Sequence, residues 1–177
     1  MPVLVTAASK YGATAEIAQA IGLALRARGL DAVVTPPDQV HDVGGYDAVV
    51  LGSAVYAGRW QKPALDLVQR CAADLRARPV WLFSSGPVGD PSRKLVQKMG
   101  ADPVGLAGTM EATRAREHRM FAGRLERRQL TWPQRAAVTV VRGLEGDFRD
   151  WDAIRRWAVG IADELEHRTG LGGARAA

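Results

Sequence analysis

The residues Ser9-Lys10-Tyr11-Gly12-Ala13-Thr14 put two hydroxyls and a glycine into one tight turn between an apolar run and a helix-like stretch. Gly12 permits an unusual φ and lets a ligand approach the backbone closely. Ser9 and Thr14 supply hydroxyl groups. The first N–H groups of the following helix point the same way and carry partial positive charge. Such a turn can cradle a phosphate with mainly neutral donors, and Lys10 either adds charge or points to solvent. The same residues suit, equally well, a plain strand–helix connection closed by a hydroxyl. Neither the GxxxxGK[ST] spacing of a P-loop nor the GxGxxG spacing of a dinucleotide site is present.

Strands and helices must position this turn. Val3 to Ala7 is a short buried-type run that ends in small residues. After the turn, Ile17, Ala18, Ile21, Ala24 and Leu25 recur at helical spacing, with Thr14 near the start and Gly29 at the end. Residues 31–35 are rich in β-formers, and 46–52 form a continuous apolar run of the kind covered on both faces. A helix-like segment spans 63–76, a strand 79–84, a short helix 92–99 and a fifth strand 118–123. Residues 133–142 have helical periodicity behind Pro133, and 150–166 form an amphipathic helix. This alternation predicts a three-layer α/β sandwich: a five-stranded parallel sheet with helices on both faces. Ligands of such sheets lie beyond the carboxyl ends of the strands. That rule selects the opening turn, residues 52–60 (GSAVYAGRW) and residues 84–90 (SSGPVGD).

The chain of 177 residues is 47% hydrophobic and 24% charged, which suits one domain with a sizeable core, expected over 1–168 with a flexible tail at 169–177. No apolar run approaches the ~20 residues of a membrane span, and the opening MPVLVT lacks a charged leader, so a cytoplasmic location is expected. A single cysteine, Cys71, leaves no internal disulfide and no multi-cysteine metal site; it reads as a packing residue. The net charge of +5 is concentrated in residues 114–119 and 124–129. It points either to an anionic partner or to a solvated face. The arginines lack the interleaved aromatics of a single-strand platform, so nucleic acid is not expected. His41, His118 and His167 have no catalytic context and read as structural or surface residues.

The stretch from Val3 to Thr14 resembles the phosphate-loop signature of flavodoxins, a hydrophobic strand followed by [ST]xxGxT at the start of a helix. Residues 46–60 (YDAVVLGSAVYAGRW), 121–125 (FAGRL) and 150–157 (DWDAIRRW) resemble the subfamily that includes menaquinone-dependent protoporphyrinogen oxidase. The resemblance covers roughly residues 2 to 166 and implies a flavodoxin-like sheet in the order 2-1-3-4-5 with FMN as cofactor. It implies that Ser9, Lys10, Tyr11, Gly12, Ala13 and Thr14 bind the FMN phosphate. Ser53, Ala54, Val55, Tyr56, Ala57 and Gly58 would lie along the isoalloxazine ring, and Ser84, Ser85, Gly86 and Pro87 would close its other side. Tyr56 or Trp60 would wall the ring by stacking. The flavin would carry the redox chemistry, so no side chain need be an acid–base catalyst, and no metal is implied.

The implied function is an FMN-dependent oxidoreductase that passes electrons from an organic donor, with protoporphyrinogen as the named candidate, to an acceptor such as a quinone. The alternative is an electron-transfer module that docks on a redox partner protein. The basic charge argues against a simple carrier, because electron-carrying flavodoxins are typically acidic. Residues 124–144 occupy the place of the extra helical segment of the oxidase group, although the segment is shorter here. Its arginines, Trp132 and the apolar positions Ala136, Val140 and Val141 suit contact with an anionic membrane or a quinone, which would place the protein peripherally on the inner face of the membrane. A homo-oligomer is compatible with all of this.

Overall fold

The computed structural model describes residues 1–86, 102–125 and 146–173. The central strand β1 (Pro2–Ala8) is buried from Val3 to Ala8. It runs parallel to β2 (Asp31–Val34) on one side and to β3 (Ala48–Tyr56) on the other. Beyond β3, β4 (Arg59–Trp60) pairs back on it antiparallel, and β5 (Val80–Ser85) and β6 (Glu117–Phe121) extend the parallel sheet. The sheet order is β2-β1-β3-β5-β6. Counting only the parallel strands in chain order, this is the expected 2-1-3-4-5. Two further short strands, β7 (Arg124–Leu125) and β8 (Gly146–Asp147), pair antiparallel with each other.

Alternate residues of each strand face opposite layers, so the sheet carries two cores. Val3, Val5, Ala48, Val50, Trp81 and Phe83 pack under two helices, α1 (Ala13–Ala27) and the last helix. Leu4, Val49, Leu51, Val80 and Leu82 pack on the other side under α2 (Lys62–Arg70), α3 (Ala72–Arg76) and α4 (Leu106–Thr113). Helix α1 buries Ile17, Ala18, Ile21 and Leu25, and Ala24 packs partly buried against the same core. Burial of each large aliphatic is worth about 1.5–3 kcal/mol, enough to fix which face of α1 meets the sheet. Gly29 ends the helix at φ 80, with Leu30 N–H donating to Leu25 C=O.

The observed bounds differ from the sequence expectation in several places, each with a physical reason. Strand β3 continues to Tyr56, well past Gly52, because β4 folds back and pairs with its end. The helix-like run 63–76 is two helices broken at buried Cys71. The last helix, α5 (Trp151–Gly173), runs through most of the stretch expected as a tail. The helices expected at 92–99 and 133–142 lie outside the described residues. Among the described residues, no helix is long and apolar enough to cross a membrane.

Gly52 shows how tightly the centre is closed. A β-carbon there would lie 2.2 Å from the Phe83 ring, so the ring occupies the space that any side chain would need. Phe83 in turn meets Phe121 and Trp157 at centroid distances of 6.1 Å each. This aromatic group joins β5, β6 and α5 beneath the strand ends that carry the site.

Candidate functional site

The carboxyl ends of β1, β3 and β5 are neighbours in the sheet. The three segments selected from the sequence therefore meet at one edge, where the strand order reverses between β1 and β3. In the first segment Gly12 adopts a left-handed φ of 86 and forms the N-cap of α1, with no side chain capping the helix. The hydroxyl cap considered from the sequence is thus absent; Thr14 lies inside the first turn and is 2% exposed. The first helical bond runs from Glu16 N–H to Gly12 C=O at 2.9 Å. The N–H groups of Ala13, Thr14 and Ala15 accordingly have no partner within the helix. Ser9 Oγ is buried and, among the described residues, makes no hydrogen bond. A buried hydroxyl without a partner is destabilising, typically by about 1–3 kcal/mol, and here it stands beside a helix N-terminus.

Lys10 lies against the turn's aromatics, and no ion pair of Lys10 occurs among the described residues. Its Nζ lies 5.4 Å from the centre of the Tyr11 ring and 5.2 Å from that of Tyr56. The two tyrosines meet edge to face at 6.0 Å. Burial, and secondarily Tyr11, pushes the Tyr56 phenol up to about 12, so it stays neutral at any ordinary pH. These three side chains connect the first segment to the second.

The second segment is a hairpin rather than a loop. Ser53, Ala54, Val55 and Tyr56 belong to β3, and the chain reverses at Ala57 (φ 48) and Gly58 (φ 72). Two consecutive positive φ values make a two-residue turn whose twist suits the flanking strands. Val55 and Tyr56 then pair with Trp60 and Arg59. Ser53 is fully buried; its Oγ accepts from Gln61 N–H at 2.8 Å and donates to Ala54 C=O. Ser84, also fully buried, accepts from Trp60 Nε1 at 2.8 Å and lies 2.8 Å from His118 Nε2. The hydroxyls of Ser53 and Ser84 are both committed to the hairpin's return arm. Trp60 is 6% exposed and acts as an anchor in the core, which leaves Tyr56 as the aromatic at the open edge.

The third segment begins at Ser85, 6% exposed, and Gly86, at φ 135. Gly86 N–H donates to Phe121 C=O at 2.9 Å, and a β-carbon there would lie 3.7 Å from Val55 Cβ. Pro87 lies outside the described residues.

One neighbour of the turn had no clear sequence signal. Arg149, its side chain 2% exposed, donates from Nη1 to Ala13 C=O at 3.2 Å and to Glu16 Oε2 at 2.8 Å. It also forks onto Asp147 at 2.8 and 2.6 Å, and its guanidinium lies over the Trp151 ring at 4.3 Å. Arg124 takes the other Glu16 oxygen at 2.8 Å. Burial alone would lower the Arg149 pKa, but Asp147 and Glu16 outweigh it and raise it. The Arg149 hydrogen bonds hold Asp147 below the usual carboxylate range. The only acidic residue in the first turn of α1 is thereby matched by two cations, so the turn is not left with an uncompensated negative charge beside its free N–H groups. Among the described residues no cluster of acidic, histidine or cysteine side chains suits a metal ion.

A parallel sheet in this order, with an uncapped helix N-terminus at the switch point and an aromatic edge beside it, defines a doubly wound α/β protein with its candidate site at the switch point. Residues 4–152 match the family model described as flavodoxin domain, and the chain belongs to that family. A flavodoxin from the domain Archaea superposes with a TM-score of 0.64 at 15% identity, over 94% of this chain and 100% of its own. The flavodoxin of Streptococcus pneumoniae TIGR4 does so at 0.58 and 19%, over 95% and 99%. Rubredoxin oxygen:oxidoreductase from Desulfovibrio gigas aligns at 0.65 and 14%, over 95% of this chain and 37% of that larger one. At these identities the likeness is one of fold. No curated protein matches the chain significantly.

Proposed function

We propose that this chain is an FMN-dependent oxidoreductase that moves electrons from a small organic donor to an acceptor such as a quinone. The observation that carries the FMN reading is the opening turn: a buried Ser9 hydroxyl without a protein partner, beside left-handed Gly12 and the uncapped start of α1. This donor set fits a terminal phosphate. In this reading Ser9 Oγ and the N–H groups of Gly12, Ala13 and Thr14 hold the phosphate, with Lys10 adding charge. Tyr56, assisted by Tyr11, walls the flat ring, while the backbone of 54–58 and 85–86 borders it. Bound FMN would supply the redox chemistry. The residues of the chain bind and orient it and shield one side from water, and Tyr56 offers a neutral phenol there.

The similarity of residues 46–60 and 150–157 to the menaquinone-dependent protoporphyrinogen oxidase group supports a porphyrinogen-type donor. The basic stretch beginning at Arg124 supports contact with an anionic membrane, where quinones reside. A second reading is a carrier that docks on a partner protein; the archaeal flavodoxin, matched over its whole length, favours it. The test is a visible spectrum after FMN is added and the excess removed, followed by turnover of protoporphyrinogen with a menaquinone analogue. Near-stoichiometric flavin bands and steady turnover without a protein partner are expected. Bands without turnover favour the carrier, and folded protein without bands overturns the FMN reading.

A further inference from the structure

The Ala57–Gly58 turn is held from two directions, and both lead to His118. On one side, Trp60, at the base of the hairpin, donates its indole N–H to Ser84 Oγ, which lies 2.8 Å from His118 Nε2. An indole N–H can only donate. Ser84 therefore accepts from Trp60 and keeps its own proton free to donate to His118 Nε2. That arrangement goes with the Nδ1–H tautomer of the neutral imidazole, whose N–H lies on the side of the Asp102 carboxylate. On the other side, His118 Nδ1 lies 3.7 Å from Asp102 Oδ1. Two residues further on, Val104 N–H donates to Gly58 C=O at 2.7 Å, directly on the turn. The His118 side chain is only 7% exposed, whereas that of Asp102 is 78% exposed.

We propose that His118 is the positioning residue of the Ala57–Gly58 turn, and that its protonation shifts the turn and weakens the binding of the flavin ring. This rests on the FMN reading above. When the imidazole gains a proton, Nε2–H donates to Ser84 Oγ. Ser84 then receives two donors, and its own proton loses its acceptor in a buried place. Nδ1–H becomes half of an ion pair with Asp102, drawing 102–104 toward the imidazole and away from Gly58. Among the described residues, the charged groups acting on His118 are Asp102, from the segment before α4, and Glu117, beside it on β6; both favour the proton. Burial opposes them and prevails, which keeps His118 below its ordinary 6.5 and the chain intact near neutrality.

The test compares the wild-type protein with His118→Gln, whose side-chain oxygen can still accept from Ser84 but cannot take up a proton. FMN affinity is titrated by flavin fluorescence from about pH 8 to about pH 5. The FMN phosphate itself gains a proton in this range, equally in both proteins, so the difference between the two curves isolates His118. We expect near-equal affinities at the upper end and an additional loss of about fivefold in the wild type at the lower end, the size of one buried hydrogen bond. Curves that run parallel, or a His118→Gln affinity already down by more than about tenfold at the upper end, would overturn the proposal. A second readout needs no ligand. The Trp60 indole N–H resonance, assigned with Trp60→Phe, should move with pH in the wild type and stay fixed in His118→Gln. An indole resonance indifferent to pH would overturn the coupling. Failure of either protein to bind FMN at any pH, with the resonance still moving, would remove the flavin reading and leave the His118–hairpin coupling standing.

Discussion

The two turns at the ends of β1 and β3 contain the same kinds of residue and use them in opposite ways. In the first, Ser9 Oγ is buried without a protein partner, and the helix N–H groups beside it are uncapped. In the second, Ser53 and its neighbour from β5, Ser84, have spent their hydroxyls on Gln61 and Trp60. Glycine differs likewise. Gly12 takes a left-handed φ at an open cradle, whereas Gly52 gives up its side-chain space to Phe83. A hydroxyl near a strand end is thus left open in one turn and serves as a brace in the other. What decides is whether the chain folds back to use it. The β3–β4 hairpin does fold back; the β1–α1 connection leads straight into a helix.

The largest effect that could break this contrast comes from Gly12→Val. A β-branched residue at φ 86 strains the turn by about 1–3 kcal/mol. FMN affinity should fall by about tenfold to a hundredfold, while circular dichroism keeps the native signal. Gly52→Ala should do the reverse. Its methyl collides with the Phe83 ring, so unfolding stability should drop by about 1–3 kcal/mol in a denaturant titration, with the preference for FMN over riboflavin kept.

A hydroxyl pair sharpens the comparison. Ser9→Ala should weaken FMN by about tenfold and leave riboflavin, which lacks the phosphate, almost untouched. Ser53→Ala should lower unfolding stability by about 1 kcal/mol and leave the ratio of the two affinities unchanged. Equal responses of the two variants in both assays would erase the distinction between donor and brace.

The smallest effect concerns pH. The folded Tyr56 phenol is raised from 10.0 to about 12, so the folded state holds that proton more tightly than the unfolded chain. Stability is fully present below the unfolded value and is lost as pH rises through the folded one. Wild-type unfolding midpoints should fall between about pH 9.5 and about pH 11.5 more than those of Tyr56→Phe.

The order of the sheet was legible because β1, β3 and β5 are largely apolar runs and α1 is a helix with one apolar face, although β6 (EHRMF) is mostly polar and no helix connects β2 to β3. Val3 to Ala8 and Ile17 to Leu25 needed no tertiary information. The opening turn was legible too, since Gly12 and the following helical period locate an N-terminus by themselves. The hairpin was not. Whether Ser53 and Ser84 face outward depends on Trp60 and Gln61 folding back over them, and that depends on Ala57, a non-glycine residue at φ 48. Arg149 was hidden for a similar reason: its partners Ala13 and Glu16 lie far away in sequence and meet it only across α1. His118 read as structural or surface, and its side chain is buried against Ser84; its reach to the turn runs through contacts that no spacing records.

The most direct measurement is a pair of calorimetric titrations of the wild-type protein with FMN and with riboflavin under one buffer condition. A phosphate cradle at Ser9 to Thr14 predicts one FMN per chain, bound at least about tenfold more tightly than riboflavin. Equal affinities, or no binding of either by folded protein, would contradict the assignment of that turn to a flavin phosphate.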